Sequence, residues 1–143
     1  MSYQNLVSVE RPVPSITPLT KPFWDAVRER RFTLFRCKSC GAWYWPPAFC
    51  RNHANEPFMS GLEWTEASGR GRVFTFDVVR RPTHPAFPVP YVYGLIELEE
   101  GPLFGSNVVD CNPDDVYVGM PVEVTYTDLA DGLTLPQFRP VRP

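Results

Sequence analysis

Three of the chain's four cysteines and one of its two histidines fall within eighteen residues, RCKSCGAWYWPPAFCRNH (36–53). Cys37 and Cys40 are separated by two residues, a nine-residue gap follows, and Cys50 and His53 repeat the two-residue spacing. A two-residue gap lets both ends of a tight knuckle face one ion, and two knuckles complete a tetrahedron. Gly41 follows the first pair, where a knuckle turn takes positive φ. Three thiolates and one imidazole leave no coordination position open, which describes one structural zinc per chain. The alternative is a set of unligated buried cysteines beside an incidental His53. Four ligand-type residues at two matched spacings argue against it. A ribbon of this size has no core of its own, so Trp43, Tyr44 and Trp45 are expected to pack around it.

The chain has 143 residues, enough for one ordinary domain or one domain with a small appended module. Its hydrophobic fraction of 43% and aromatic fraction of 14% exclude a disordered chain. The 17 prolines cluster at 12–22, 46–47, 82–90 and 136–143, which favours extended segments and loops over long helices. No charged start followed by an apolar run marks a signal peptide in the first twenty residues, and no stretch approaches the roughly 20 apolar residues of a membrane span. The expected location is the cytoplasm, where clustered thiols stay reduced and bind metal.

The net charge of −2 hides an asymmetry. Between Pro82 and Phe138 there is no Lys or Arg, while nine acids lie there: Glu97, Glu99, Glu100, Asp110, Asp114, Asp115, Glu123, Asp128 and Asp131. Arg70, Arg72, Arg80 and Arg81 precede that stretch. They are either a solvated surface or a local basic patch that meets an anionic ligand.

TKPFWDAVRERRF predicts a short helix capped by Thr20, with Pro22 in its first turn and Phe23 and Val27 on one face. FTLFR (32–36) predicts a strand into the first knuckle. Beyond the ribbon, the two glycines of ASGRGRVFTF predict a turn and Val73 to Val79 a strand. A proline-rich connection (81–90) leads to the strand YVYGLIELEE, and the turn EGP leads to LFGSNVVD. NPDDVYVGMP predicts a helical turn begun by Asp110 or Asn112 and ended by Gly119. VEVTYTD alternates, with Val122, Val124 and Tyr126 on one face, and LADG closes a hairpin into a last strand near 133–142. Five short strands with a helical turn between the third and fourth are the order of an OB-type Greek-key barrel. The fold class expected is mainly β: an N-terminal helix and zinc ribbon, then a five-stranded OB-fold barrel. The expected divisions are an extended arm at 1–19, helix and ribbon at 20–60, and the OB-fold domain at 61–143.

Taken together, FRCKSCGAWYWPPAFC, the run from ASGRGRVFTF to LFGSNVVD, and VYVGMPVEVTY resemble one family across nearly the whole chain. It is an acyl-CoA-associated family of unknown-function proteins that pairs a helix and rubredoxin-like zinc ribbon with a C-terminal OB-fold. His53 stands where the family usually has Cys, and imidazole is an equally good zinc ligand. The resemblance implies an accessory subunit of a thiolase-fold enzyme: a thiolase, a retro-aldolase or an acyltransferase acting on acyl-CoA. The partner, a thiolase-fold homodimer, would hold the catalytic residues. The small subunit would stabilise it, help to bind the CoA thioester, or do both.

The residues agree with a non-catalytic chain. There is no Ser/His/Asp order, no paired-carboxylate motif and no glycine-rich phosphate loop. Cys111 is a candidate nucleophile, but a lone Cys at a strand end reads better as a small buried hydrophobe. The long 81–90 loop borders the face that OB barrels use for ligands, so Arg80, Arg81, His84, Phe87 and Tyr91 are the candidate CoA-binding residues. Exposed aromatics, among them Phe23, Trp24, Trp43, Trp45 and Trp64, are expected to form a partner interface. The alternative function is single-stranded nucleic-acid binding, since ribbons and OB-folds both occur there. The acidic balance and the empty 82–138 stretch argue against it. A free-standing zinc enzyme would need an open coordination position that Cys3His does not leave.

Overall fold

The computed structural model describes residues 11–53, 57 and 60–142, apart from the side chain of Asp131. Helix α1 (Lys21–Arg28) places Pro22 in its first turn, where a missing N–H costs nothing. Phe23, Ala26 and Val27 are buried on one face, and Arg28 ends it exposed. Thr20 occupies the N-cap position but its side chain does not cap the helix. It is αR in conformation, and its hydroxyl instead accepts from the backbone N–H of Thr17 at 3.0 Å.

After the helix come β1 (Thr33–Cys37), β2 (Trp43–Tyr44) and β3 (Leu62–Glu66), which form a three-stranded antiparallel sheet in the order β2-β1-β3. β1 leads into the first knuckle as expected. β3 is a strand that the sequence reading did not isolate, and it pairs along the whole of β1, from Thr33 opposite Glu66 to Cys37 opposite Leu62.

The second half is a closed barrel of β4 (Arg70–Val79), β5 (Tyr91–Leu98), β6 (Leu103–Val108), β7 (Pro121–Asp128) and β8 (Thr134–Pro140). Its order, β4-β5-β6-β8-β7 with β7 returning to β4, and its parallel β6–β8 contact make it an OB-fold. β4 begins three residues earlier than expected. Gly69 turns with φ +71°, but Gly71 lies inside the strand, where a Cβ would sit 2.4 Å from the Glu97 carbonyl oxygen. The backbones there approach too closely for any side chain. The helical turn after β6 is a single 3-10 turn at Pro113–Asp115, begun by Asn112, whose side-chain oxygen accepts from Asp114 N–H at 3.0 Å.

The two halves share one core. The Phe23 ring lies 4.7 Å from Trp45 and 5.7 Å from Trp64 on the ribbon side, and 6.3 Å from Phe104 on the barrel side. Trp45 is 4.6 Å from Phe104, and Phe32 is 5.2 Å from Phe104 and 6.0 Å from Phe138. The aromatics expected at a partner interface are therefore spent internally: Phe23 is 1% exposed, and Trp24, Trp43, Trp45 and Trp64 are partly buried against the same cluster. A ribbon and a small barrel each lack enough apolar surface to enclose such rings alone, so each supplies the other's missing wall. No helix among the described residues is long and apolar enough to cross a membrane.

Candidate metal centre and loop cleft

Cys37 closes β1, and the chain turns back on itself there: Gly41 N–H donates to the Cys37 carbonyl at 2.8 Å, and Cys37 N–H to the Ala42 carbonyl at 2.9 Å. Gly41 takes φ +76°, as the knuckle demands. The second knuckle runs from Cys50 to His53. The ligand atoms of Cys37, Cys40, Cys50 and His53 all lie within 4.8 Å of one another. Tetrahedral Zn–S bonds of ~2.3 Å place two sulfurs about 3.8 Å apart, and the Sγ atoms of Cys40 and Cys50 are 3.6 Å apart. The donor set therefore fits one structural zinc ion, with Cys37 and Cys50 buried and Cys40 at the surface.

Hydrogen-bond donors surround the sulfurs. Asn52 Nδ2 donates to Cys40 Sγ at 3.4 Å, and the Tyr44 hydroxyl donates to Cys50 Sγ at 3.4 Å. That hydroxyl accepts in turn from Arg51 N–H at 3.0 Å. The Asn52 amide, and after it the backbone N–H of Ala42, bring the Cys40 thiol down to about 6. This favours the thiolate that a metal requires. Neither Asn52 nor the role of Tyr44 was visible from ligand spacing.

The proposed CoA-binding residues divide into two groups. Phe87 and Tyr91, with ring centres 6.5 Å apart, line a cleft of about 300 Å3 shared with Pro88, Asn107 and Gln137. Its cation is Arg11, whose guanidinium lies 5.2 Å above the Phe87 ring and which sequence reasoning did not single out. His84 lies 5.3 Å from Phe87 with the rings tilted by 48°, and its Nδ1 accepts from Ala86 N–H at 3.0 Å. Arg80 instead donates to Asp114 at 2.6 Å, with both side chains exposed, and Arg81 is exposed beside it. Arg72 lies near the start of β4 and Arg80 just past its end, roughly 26 Å apart along eight residues of extended chain. The four arginines do not make one patch. Cys111 is half-buried against the core, and burial, then Asp115, pushes its thiol up, as suits a small hydrophobe.

Fold and site together define a class: a rubredoxin-like zinc ribbon packed through a shared core onto an OB barrel. Residues 24–52 match the family described as "ChsH2, rubredoxin-like zinc ribbon domain", and residues 64–127 match "ChsH2, C-terminal OB-fold domain". A DUF35 domain-containing scaffold protein of Methanocaldococcus jannaschii is 38% identical over 109 residues, covering 72% of this chain and 73% of that protein. The chain belongs to the DUF35 family. A probable enoyl-CoA hydratase alpha subunit of Thermomonospora curvata is 37% identical over 135 residues, covering 93% of this chain and 41% of that protein. The chain thus spans about two fifths of that relative's length. Among solved structures, one titled "Ltp2-ChsH2(DUF35) aldolase" matches with a TM-score of 0.79 and 36% identity, over 90% of this chain and 98% of that one.

Proposed function

We propose that this chain is a non-catalytic, zinc-binding accessory subunit of a thiolase-fold homodimer acting on acyl-CoA, working in the cytoplasm. The observation that carries the reading is the likeness to the DUF35 chain of the Ltp2-ChsH2 aldolase, which spans nearly all of that chain. Relatives named as scaffold proteins and as a hydratase subunit point the same way. The Cys3His set supports it too, because four protein ligands leave zinc no position for substrate.

In this reading Arg80, Arg81, His84, Phe87 and Tyr91 help to hold the CoA thioester, while the partner performs the chemistry. Phe87 and Tyr91 would flank the flexible arm of the ligand in the cleft, and the arginines would meet its phosphates through their planar forks. The test is kinetic, on the complex reconstituted with its enzyme. Arg80→Ala with Arg81→Ala is expected to raise KM for the thioester several-fold with kcat nearly unchanged, the mark of lost uniform binding. An unaltered KM in an intact complex assigns both arginines to the surface. A collapse of kcat in Cys111→Ala or His84→Ala would place chemistry on this chain.

A further inference from the structure

The outer face of β4, β5 and β6 lies apart from the metal centre and borders the cleft, to which one end of it contributes Asn107. In its register Leu95 stands between Thr75 and Gly105, and Tyr93 between Asp77 and Asn107. Glu97 stands between Arg72 and Leu103. The pairing of β4 slips between Val73 and Thr75, a bulge that leaves Phe74 and Thr75 both exposed while Val73 is buried. Phe74 is 50% exposed, Tyr93 52% and Leu103 38%. At Gly105 a Cβ would lie 2.6 Å from the Tyr93 hydroxyl, so Tyr93 reaches across the neighbouring strand over a position with no side chain. Three large apolar side chains, Phe74, Tyr93 and Leu103, are thus exposed together on these three strands, whereas a single scattered apolar residue would be ordinary surface.

Charge at its rim says what fits there. Elsewhere on the barrel Asp114, Glu123 and Asp128 each hold an arginine. Asp77 and Glu97 are exposed and, among the described residues, pair with no cation. Arg72, across from Glu97, spends its guanidinium on the Gly119 carbonyl. OB-folds that bind oligonucleotides use this strand face. Here a phosphate backbone would meet carboxylates on a barrel with no Lys or Arg between Pro82 and Phe138.

We propose that this face docks the enzyme subunit, through an apolar patch on that subunit rimmed by Lys or Arg placed opposite Asp77 and Glu97. The proposal rests on the accessory-subunit reading and adds the surface that serves it. Phe74 and Tyr93 are the anchors, and the two acids set orientation and speed of encounter.

The test uses the thiolase-fold enzyme recovered with the wild-type chain, purified, and titrated calorimetrically with the full zinc-loaded chain. Phe74→Ala with Tyr93→Ala is expected to weaken binding about tenfold or more. Asp77→Lys with Glu97→Lys is expected to slow association and to flatten its dependence on salt. Zinc content and circular dichroism verify folding. If the alanine pair does not fold, the charge-reversed pair of exposed residues decides alone. Wild-type affinity and association rate in the folded variants overturn the docking face and leave the accessory role standing. Recovery of no thiolase-fold enzyme with the wild-type chain overturns both. Tight binding of single-stranded oligothymidine that is lost in Tyr93→Ala overturns the assignment to a protein.

Discussion

Tyr44 serves two neighbours with one hydroxyl, accepting from Arg51 N–H and donating to Cys50 Sγ. It thereby ties the second knuckle to β2, while Asn52 ties the same knuckle to Cys40 of the first. Donors of this kind orient metal ligands and spread their charge, and losing one typically costs ten- to a hundredfold in metal affinity. Tyr44→Phe should accordingly surrender zinc to a competing chelator at roughly tenfold lower chelator concentration. His53→Ala should lose the ion and the ribbon's order together, because metal binding and folding are linked in modules of this size. His53→Cys should keep both. Elemental analysis beside far-ultraviolet circular dichroism reads all three. The four ligands were legible in the sequence because spacing alone forces them together. Their donors were not, since an Asn or Tyr beside a cysteine bonds sulfur only once both knuckles have been folded into place.

Among the elements, α1 is fastened to the β7–β8 hairpin just past its end. Arg30 forms two hydrogen bonds to Asp128, at 2.9 and 2.6 Å, and Thr134 donates to the same carboxylate at 2.8 Å. Arg30, and after it Thr134, hold Asp128 at about 2 against an ordinary 3.8. A carboxylate whose folded value lies below its unfolded one stabilises the fold above the unfolded value, and this contribution fades as pH falls toward the folded one. Wild type should therefore lose more of its melting temperature between about pH 4 and pH 2 than Asp128→Asn does. Both side chains are largely exposed, so the difference will be small. Most elements were readable from local pattern: the i, i+4 pair Phe23 and Val27 in α1, the alternation of Val122, Val124 and Tyr126 in β7, the turn residues between strands. β3 was not, because LEWTE has only weak alternation and is a strand by virtue of its pairing with β1. Thr20 was misjudged as a cap because Thr17, three residues back, engages its hydroxyl.

For the whole molecule, the decisive feature is that ribbon and barrel do not have separate interiors. Phe23 is in ring contact with Trp45 and Trp64 from one half and Phe104 from the other. Phe23→Ala should cost about 3–5 kcal/mol and lower the melting of both halves together, in one calorimetric transition. Two separated transitions would show that the halves are energetically independent. The OB topology followed from strand count and the position of the helical turn, but the shared core did not. Aromatic residues in a sequence advertise burial without saying against what, and here they meet one another rather than a partner. Chain synthesis gives the same arrangement another meaning. Cys37, Cys40, Cys50 and His53 leave the ribosome well before Phe104 and Phe138, the barrel rings that pack against Phe32 and, for Phe104, Trp45. The nascent ribbon can gather its ion early, yet it stays unsealed until the last barrel strand has been made, and premature termination leaves thiols and tryptophans exposed together for quality control to find.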